Sequence, residues 1–167
     1  MERELKKISI SGIPHAIKRA DDYRYLNQAE EAESICRDIL ALDEENQDAL
    51  RLLGLAITDQ FSGAPDDRLG ESVSCFEKLE NPYESSYFLG IAYERRAKAQ
   101  LRAGQLPYTM IANFEKAMNY FEAAEKIRPQ NNDESILRWN RCVRLLQNIT
   151  HDEKEHPVIE VGDMPPR

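Results

Sequence analysis

Histidines, cysteines and clustered carboxylates are the side chains here that could do chemistry, and they are few and scattered. The histidines are His15, His151 and His156. His15 opens a helical stretch. His151 and His156 are five residues apart, off the i, i+4 spacing that puts two metal ligands on one helix face. Cys36, Cys75 and Cys142 form no CxxC pair, so their spacing predicts neither a disulfide framework nor a zinc site. Cys36 reads as a small packing residue. Cys142 has more chemical promise, because Arg138, Arg141 and Arg144 flank it and positive charge lowers a thiol pKa. Glu30-Glu31-Glu33 and Glu44-Glu45 are neighbours only along the chain; adjacent helical residues point apart, so these read as solvated faces. No HExxH, GxSxG, phosphate-cradling glycine loop or dinucleotide fingerprint occurs. These residues predict no catalytic set, no metal and no cofactor. A small enzyme or thiol-based regulator acting through Cys142 is the catalytic alternative.

The composition fits one helical domain. The chain has 167 residues, 41% hydrophobic and 31% charged, with only 7 Gly and 8 Pro. That is too little punctuation for a β-sandwich, which turns every dozen residues or so. No apolar stretch reaches the ~18 residues of a membrane span. The first twenty residues lack the apolar core of a secretion signal, which predicts a cytoplasmic protein without a membrane partner. The net charge of −8 argues against general nucleic-acid binding. The charge is uneven: residues 21–80 carry 16 acidic and 5 basic groups, and residues 81–150 carry 7 acidic and 10 basic groups.

Helical periodicity runs through most of the chain. Ala29, Ala32, Ile35, Cys36, Ile39, Leu40 and Leu42 recur in steps of three and four, as do Ala49, Leu50, Leu52, Leu53, Leu55, Ala56 and Ile57. Asp48 is the expected cap of the second stretch, and Asp66 or Asp67 of the next. Asn81-Pro82, Gly104, Pro107 and the loop ending at Asp133 punctuate the second half of the chain. In the last helix, Ile136, Trp139, Val143 and Leu146 are expected to face inward, and Arg138, Arg141 and Arg144 outward. Residues 149–167 read as a disordered tail, in which Val158-Ile159-Glu160-Val161 could form a short strand or docking peptide.

An internal period is visible. Leu50-x-x-Leu53-Gly54-x-x-Ile57 matches Ser86-x-x-Leu89-Gly90-x-x-Tyr93 in spacing, and Ala32, Cys36 and Asn46 align with Ala117, Phe121 and Asn131. With Phe76, Ala124 and Pro129, these residues resemble the tetratricopeptide repeat family, whose period is about 34 residues. The segments EEAESICRDILALD, YERRAKAQLR and SILRWNRCVRLL are also similar to small uncharacterised bacterial proteins of this type, which implies no activity. The family resemblance implies an all-α solenoid of antiparallel helix pairs wound as a right-handed superhelix. It would hold about three repeats (near 13–46, 47–80 and 81–131) and a C-terminal capping helix. Residues 1–12 form an N-terminal segment and 13–148 the repeat domain. In the first repeat Arg19-Ala20 stands where Leu-Gly is expected.

The resemblance further implies a concave groove lined by the first helix of each pair, where a peptide or partner helix binds. Its residues here would be Asp21, Arg24 and Tyr25; Arg51, Leu55 and Thr58; and Tyr87, Ile91 and Arg95. Leu55, Tyr87 and Ile91 could equally pack between helices. A Lys/Asn clamp for acidic C-terminal peptides, found in one subtype, is replaced by Ile17, Asp21 and Leu52. The leading expectation is a non-catalytic protein–protein interaction module or scaffold. A self-assembling homo-oligomer is the alternative, motivated by the weak first repeat and short array.

Overall fold

The computed structural model of the chain describes residues 3–155. A 3-10 turn at Ile10–Gly12 leads into seven helices: α1 (Ile13–Tyr25), α2 (Ala29–Leu40), α3 (Gln47–Asp59), α4 (Leu69–Glu77), α5 (Pro82–Arg102), α6 (Pro107–Glu125) and α7 (Glu134–Glu155). There is no strand among the described residues. The chain is all-α, and each helix packs chiefly on its neighbours in sequence. The helices thus form three successive hairpins followed by α7. The first helices also touch in order, α1 with α3 and α3 with α5, while α2, α4 and α6 make no comparable contact with one another.

Local chemistry sets the helix ends. Asn46, rather than Asp48, caps α3: its side chain accepts from the Ala49 N–H at 3.0 Å. Asp48 lies inside the first turn and holds Arg51 instead. Asn81 caps α5 by accepting from the Tyr83 and Glu84 N–H groups, and Pro82 fills the first helical position, where no N–H is needed. Gly104 closes α5 with a φ of +68°, which favours glycine. Before α7 the Asn132 side chain accepts from the Glu134 N–H, and the Asp133 carboxylate is taken by Arg128.

Glycine governs the approach of helices within hairpins two and three. A methyl group built on Gly54 would lie 2.4 Å from the Phe76 ring, and one on Gly90 would lie 2.5 Å from the Phe121 ring. Both rings are fully buried. In the first hairpin the buried pair is Ala20 and Cys36. There a side chain stands at the glycine position and a smaller one replaces the ring.

The segment Ser62–Asp67 does not cap α4, contrary to expectation, but is strapped to α5. The Asp67 carboxylate accepts from the Ser62 and Gly63 N–H groups at 2.9 and 2.8 Å and pairs with Arg96. Arg96 also donates to the Ala64 carbonyl, and Gln105 to that of Gly63. Gly63 has a φ of +88° and lies so close to the Ala99 carbonyl that a Cβ would sit 2.6 Å from it. On the opposite layer, Glu33 of α2 joins hairpins one and two. Arg68 donates to both its oxygens, at 2.6 and 2.8 Å, while Arg37 and Gln60 donate at 2.6 and 2.7 Å. The Arg68 hydrogen bonds bring the Glu33 carboxyl down to about 2, despite the opposing effect of burial.

Two expectations for the C-terminal region change. α7 continues to Glu155, so seven residues beyond 148 are helical. Its buried residues are Ser135, Cys142 and Ile149; of the expected inward set, Trp139 and Leu146 pack partly buried against the core, joined by Leu145. This register turns Arg138 inward toward Glu94 rather than outward. His156 and Val158–Val161 lie outside the described residues.

Gly54→Ala is expected to lower stability by about 1–3 kcal/mol, because the overpacked methyl outweighs the better helix propensity of alanine. Urea unfolding followed by circular dichroism measures it. The Glu33 cluster has its own pH signature. Its folded pKa lies below the unfolded value of 4.5. The stabilisation is therefore complete above that value and is lost as pH falls from 4.5 toward 2. The loss is about 1–2 kcal/mol once screening at the exposed arginines is allowed for. Glu33→Gln should flatten that part of the stability–pH curve.

Candidate functional site: the face of the odd-numbered helices

The residues expected to line a groove fall on one layer of the molecule, but they divide into three kinds. Leu55, Tyr87 and Ile91 are buried at 9%, 8% and 2% exposure and serve the packing between helices. Tyr87 belongs to an aromatic cluster, 5.8 Å from Tyr83 and 5.2 Å from Phe88 between ring centroids. Tyr25 is 82% exposed at the end of α1. The arginines and Thr58 form a polar system that links successive first helices.

That system centres on Asp59, the last residue of α3. Arg24 of α1 donates from Nε to Asp59 Oδ2 at 2.8 Å, and Arg95 of α5 donates to Oδ1. One carboxylate thus connects α1, α3 and α5. Thr58 is buried, with its hydroxyl donating to the Leu55 carbonyl at 2.8 Å. The same hydroxyl accepts from Arg95 Nη1 at 2.7 Å. Asp21 reaches Arg24 only at 4.0 Å. Arg51 stands apart from this junction. It donates to Asp48 at 2.6 Å and lies 3.7 Å from Glu84, a second bridge between α3 and α5.

A further ionic group joins α5 to α7. Glu94 is fully buried and pairs with Lys98 one turn on and with Arg138 at 3.4 Å. Against burial, Glu94 and the neighbouring Tyr87 favour the charged form of Arg138. Lone burial of a carboxylate would be very costly, and these two cations make it tolerable. Burial holds the Arg95 pKa below its usual value, and the like charges of Arg24 and Arg138 act the same way, against the attraction of Asp59.

Asp59, Glu94, Lys98 and Arg138 were not among the expected site residues. Asp59 carried a usable signal: it is 35 residues from Arg24 and 36 from Arg95, close to one repeat period in each direction. Glu94 carried none, since a buried glutamate in a helix has no mark in hydropathy.

Between α1 and α3 the same face opens into a cleft of about 350 Å³. Ile17, Leu52 and Leu55 give it apolar surface, Lys18, Arg24 and Arg51 give it positive charge, and Asp21 adds one carboxylate.

Cys142 does not have the reactivity its neighbours suggested. The thiol is completely buried and burial pushes it up to about 12, outweighing the attraction of Arg138 and Arg141. Cys36 and Cys75 are likewise buried, and burial raises them to about 12 and about 11. Among the described residues no group of three or more His, Cys, Asp or Glu side chains could hold a metal ion. No described helix is long and apolar enough to cross a membrane.

Native protein at mildly alkaline pH should therefore show no fast-reacting thiol toward Ellman's reagent, and all three should react in concentrated guanidinium. A stoichiometric fast phase in the native state, located at Cys142 by peptide mapping, would restore the thiol reading.

No family model matches the chain, and no curated protein matches it.

Proposed function

We propose that the chain is a tetratricopeptide-like interaction module whose odd-numbered helices line a concave face that receives an extended peptide or a partner helix. The observation that carries this reading is the α1–α3 cleft, where apolar surface from Ile17, Leu52 and Leu55 sits beside the positive charge of Lys18, Arg24 and Arg51. Aliphatic surface beside arginine is a composition suited to recognition. Two further features support the repeat assignment. Gly54 and Gly90 take their helix partners' rings in the same way, and first helices pack on one another more closely than second helices, of which α2 and α4 are linked by the Arg37–Glu71 ion pair. Burial of Cys142 weighs against a thiol-based role. The reading is a scaffold without chemistry of its own.

Self-association is the second reading. Ile127 and Leu137 are exposed at the last hairpin and α7, beside a cleft that Ile136 and Trp139 line. A mass by light scattering that stays at one chain across concentration would remove it.

The arginines of the groove are not equivalent probes. Arg95 holds the Asp59 junction, so reversing its charge would disturb the fold, whereas Arg51 is more peripheral. Lys18→Glu/Arg51→Glu, checked for intact helicity, should weaken a partner captured by the wild type at least about tenfold, the loss of roughly 1.4 kcal/mol. A partner that binds both proteins equally would place recognition elsewhere.

A further inference from the structure

We propose that the odd-numbered layer is specific for acidic segments, and that carboxylates of an extended peptide seat on the guanidinium groups of Arg95 and Arg138. This rests on the reading of that layer as the binding face and names the chemistry of its partner.

The first argument is the distribution of charge between layers. By sequence, α2, α4 and α6 carry net charges of −3, −2 and −2, while α1, α3, α5 and α7 carry +1, −1, +2 and 0. In a chain of net charge −8, an acidic segment is repelled by the second helices and tolerated only along the first ones. α5 is the most positive helix, and Arg95 and Lys98 project from it toward the junctions with α3 and α7.

The second argument is local stoichiometry. Arg24, Arg95, Lys98 and Arg138 share three carboxylates, Asp59, Glu94 and, at 4.0 Å from Arg24, Asp21. This leaves one positive charge in excess at a partly buried junction. Arg95 makes all its hydrogen bonds to described residues through Nη1, to Leu55, Thr58 and Asp59. Nε and Nη2 thus keep their donors for another acceptor. Arg138 makes one long hydrogen bond of 3.4 Å, to Glu94. A guanidinium offers five donors in a fixed fork suited to a carboxylate. Burial is the main cause of the lowered Arg95 pKa, and the added repulsion from Arg24 and Arg138 is relieved when an anion enters. These residues are not those of the Lys/Asn clamp, whose positions are Ile17, Asp21 and Leu52 here.

The test uses the full chain and fluorescein-labelled deca-glutamate, with deca-glutamine and deca-lysine as controls, read by fluorescence anisotropy at low salt. Deca-glutamate should bind saturably, weaken at least about tenfold as salt rises to physiological strength, and bind in preference to both controls. Arg138→Gln should weaken it several-fold. Arg95→Lys, which keeps the charge facing Asp59 but removes the planar fork, should do the same if the glutamine variant is misfolded. Amide exchange should show new protection on α5 and α7. Equal binding by both variants, protection confined to other helices, or preference for deca-lysine would each overturn the proposal. The broader reading is tested separately: a captured partner that is lost in Lys18→Glu/Arg51→Glu yet is not displaced by deca-glutamate leaves the binding face standing and refutes its acidic specificity.

Discussion

A phenyl ring laid on bare helix backbone sets the spacing of the two central hairpins. Phe76 rests on Gly54 and Phe121 rests on Gly90, each so close that not even a methyl group fits between. Glycine in a helix interior costs about 1 kcal/mol in propensity, so its place there has to be offset by packing. Two buried aromatic rings do so, because close-packed interiors reward contact on every side. The same α3 and α5 meet again at the Asp59 junction, which α1 joins through Arg24 although its own hairpin has alanine at the glycine position.

The first hairpin solves the same problem with different volumes. Ala20 adds a methyl and Cys36 removes a ring, and both are completely buried. Its smaller aromatic content leaves it more dependent on polar links. Arg24 ties α1 to α3, and Glu33 ties α2 to Arg68 at the start of α4. Such links are screened and partly exposed, so they stabilise less than the buried rings do.

Local patterns made much of this architecture readable from sequence. The apolar steps of three and four in Ala29–Leu40 mark a helix because they place Ala32, Cys36 and Ile39 on one buried stripe. Gly54 and Gly90 stood out because an interior helical glycine needs a packing reason. The failures share a physical cause: they depend on which distant groups the fold brings together. Asp67 looks like a cap until Arg96 and the Ser62 and Gly63 amides claim it. In α7 the expected Trp139 and Leu146 do pack against the core, but Ser135 and Cys142 are more deeply buried and Arg138 turns toward Glu94, which hydropathy does not signal. Arg138 can face inward only because Glu94, buried on another helix, is there to receive it. Of the groove, the arginines were identified but their shared acid was not, since a charge pair across a repeat leaves no trace in either segment alone.

The strap from Ser62 to Asp67 alters how this array comes apart. A repeat stack whose units meet only their nearest neighbours can fray one unit at a time. Here the loop between α3 and α4 reaches past α4 and is bound by Arg96 and Gln105 on the α5 side. Opening the second hairpin therefore means releasing the third, and the two behave as a single cooperative unit. The first hairpin is tied to the second by the Arg24–Asp59 and Glu33–Arg68 ion pairs, which are partly exposed and screened, so it is the unit expected to open first, and with it the α1 half of the cleft.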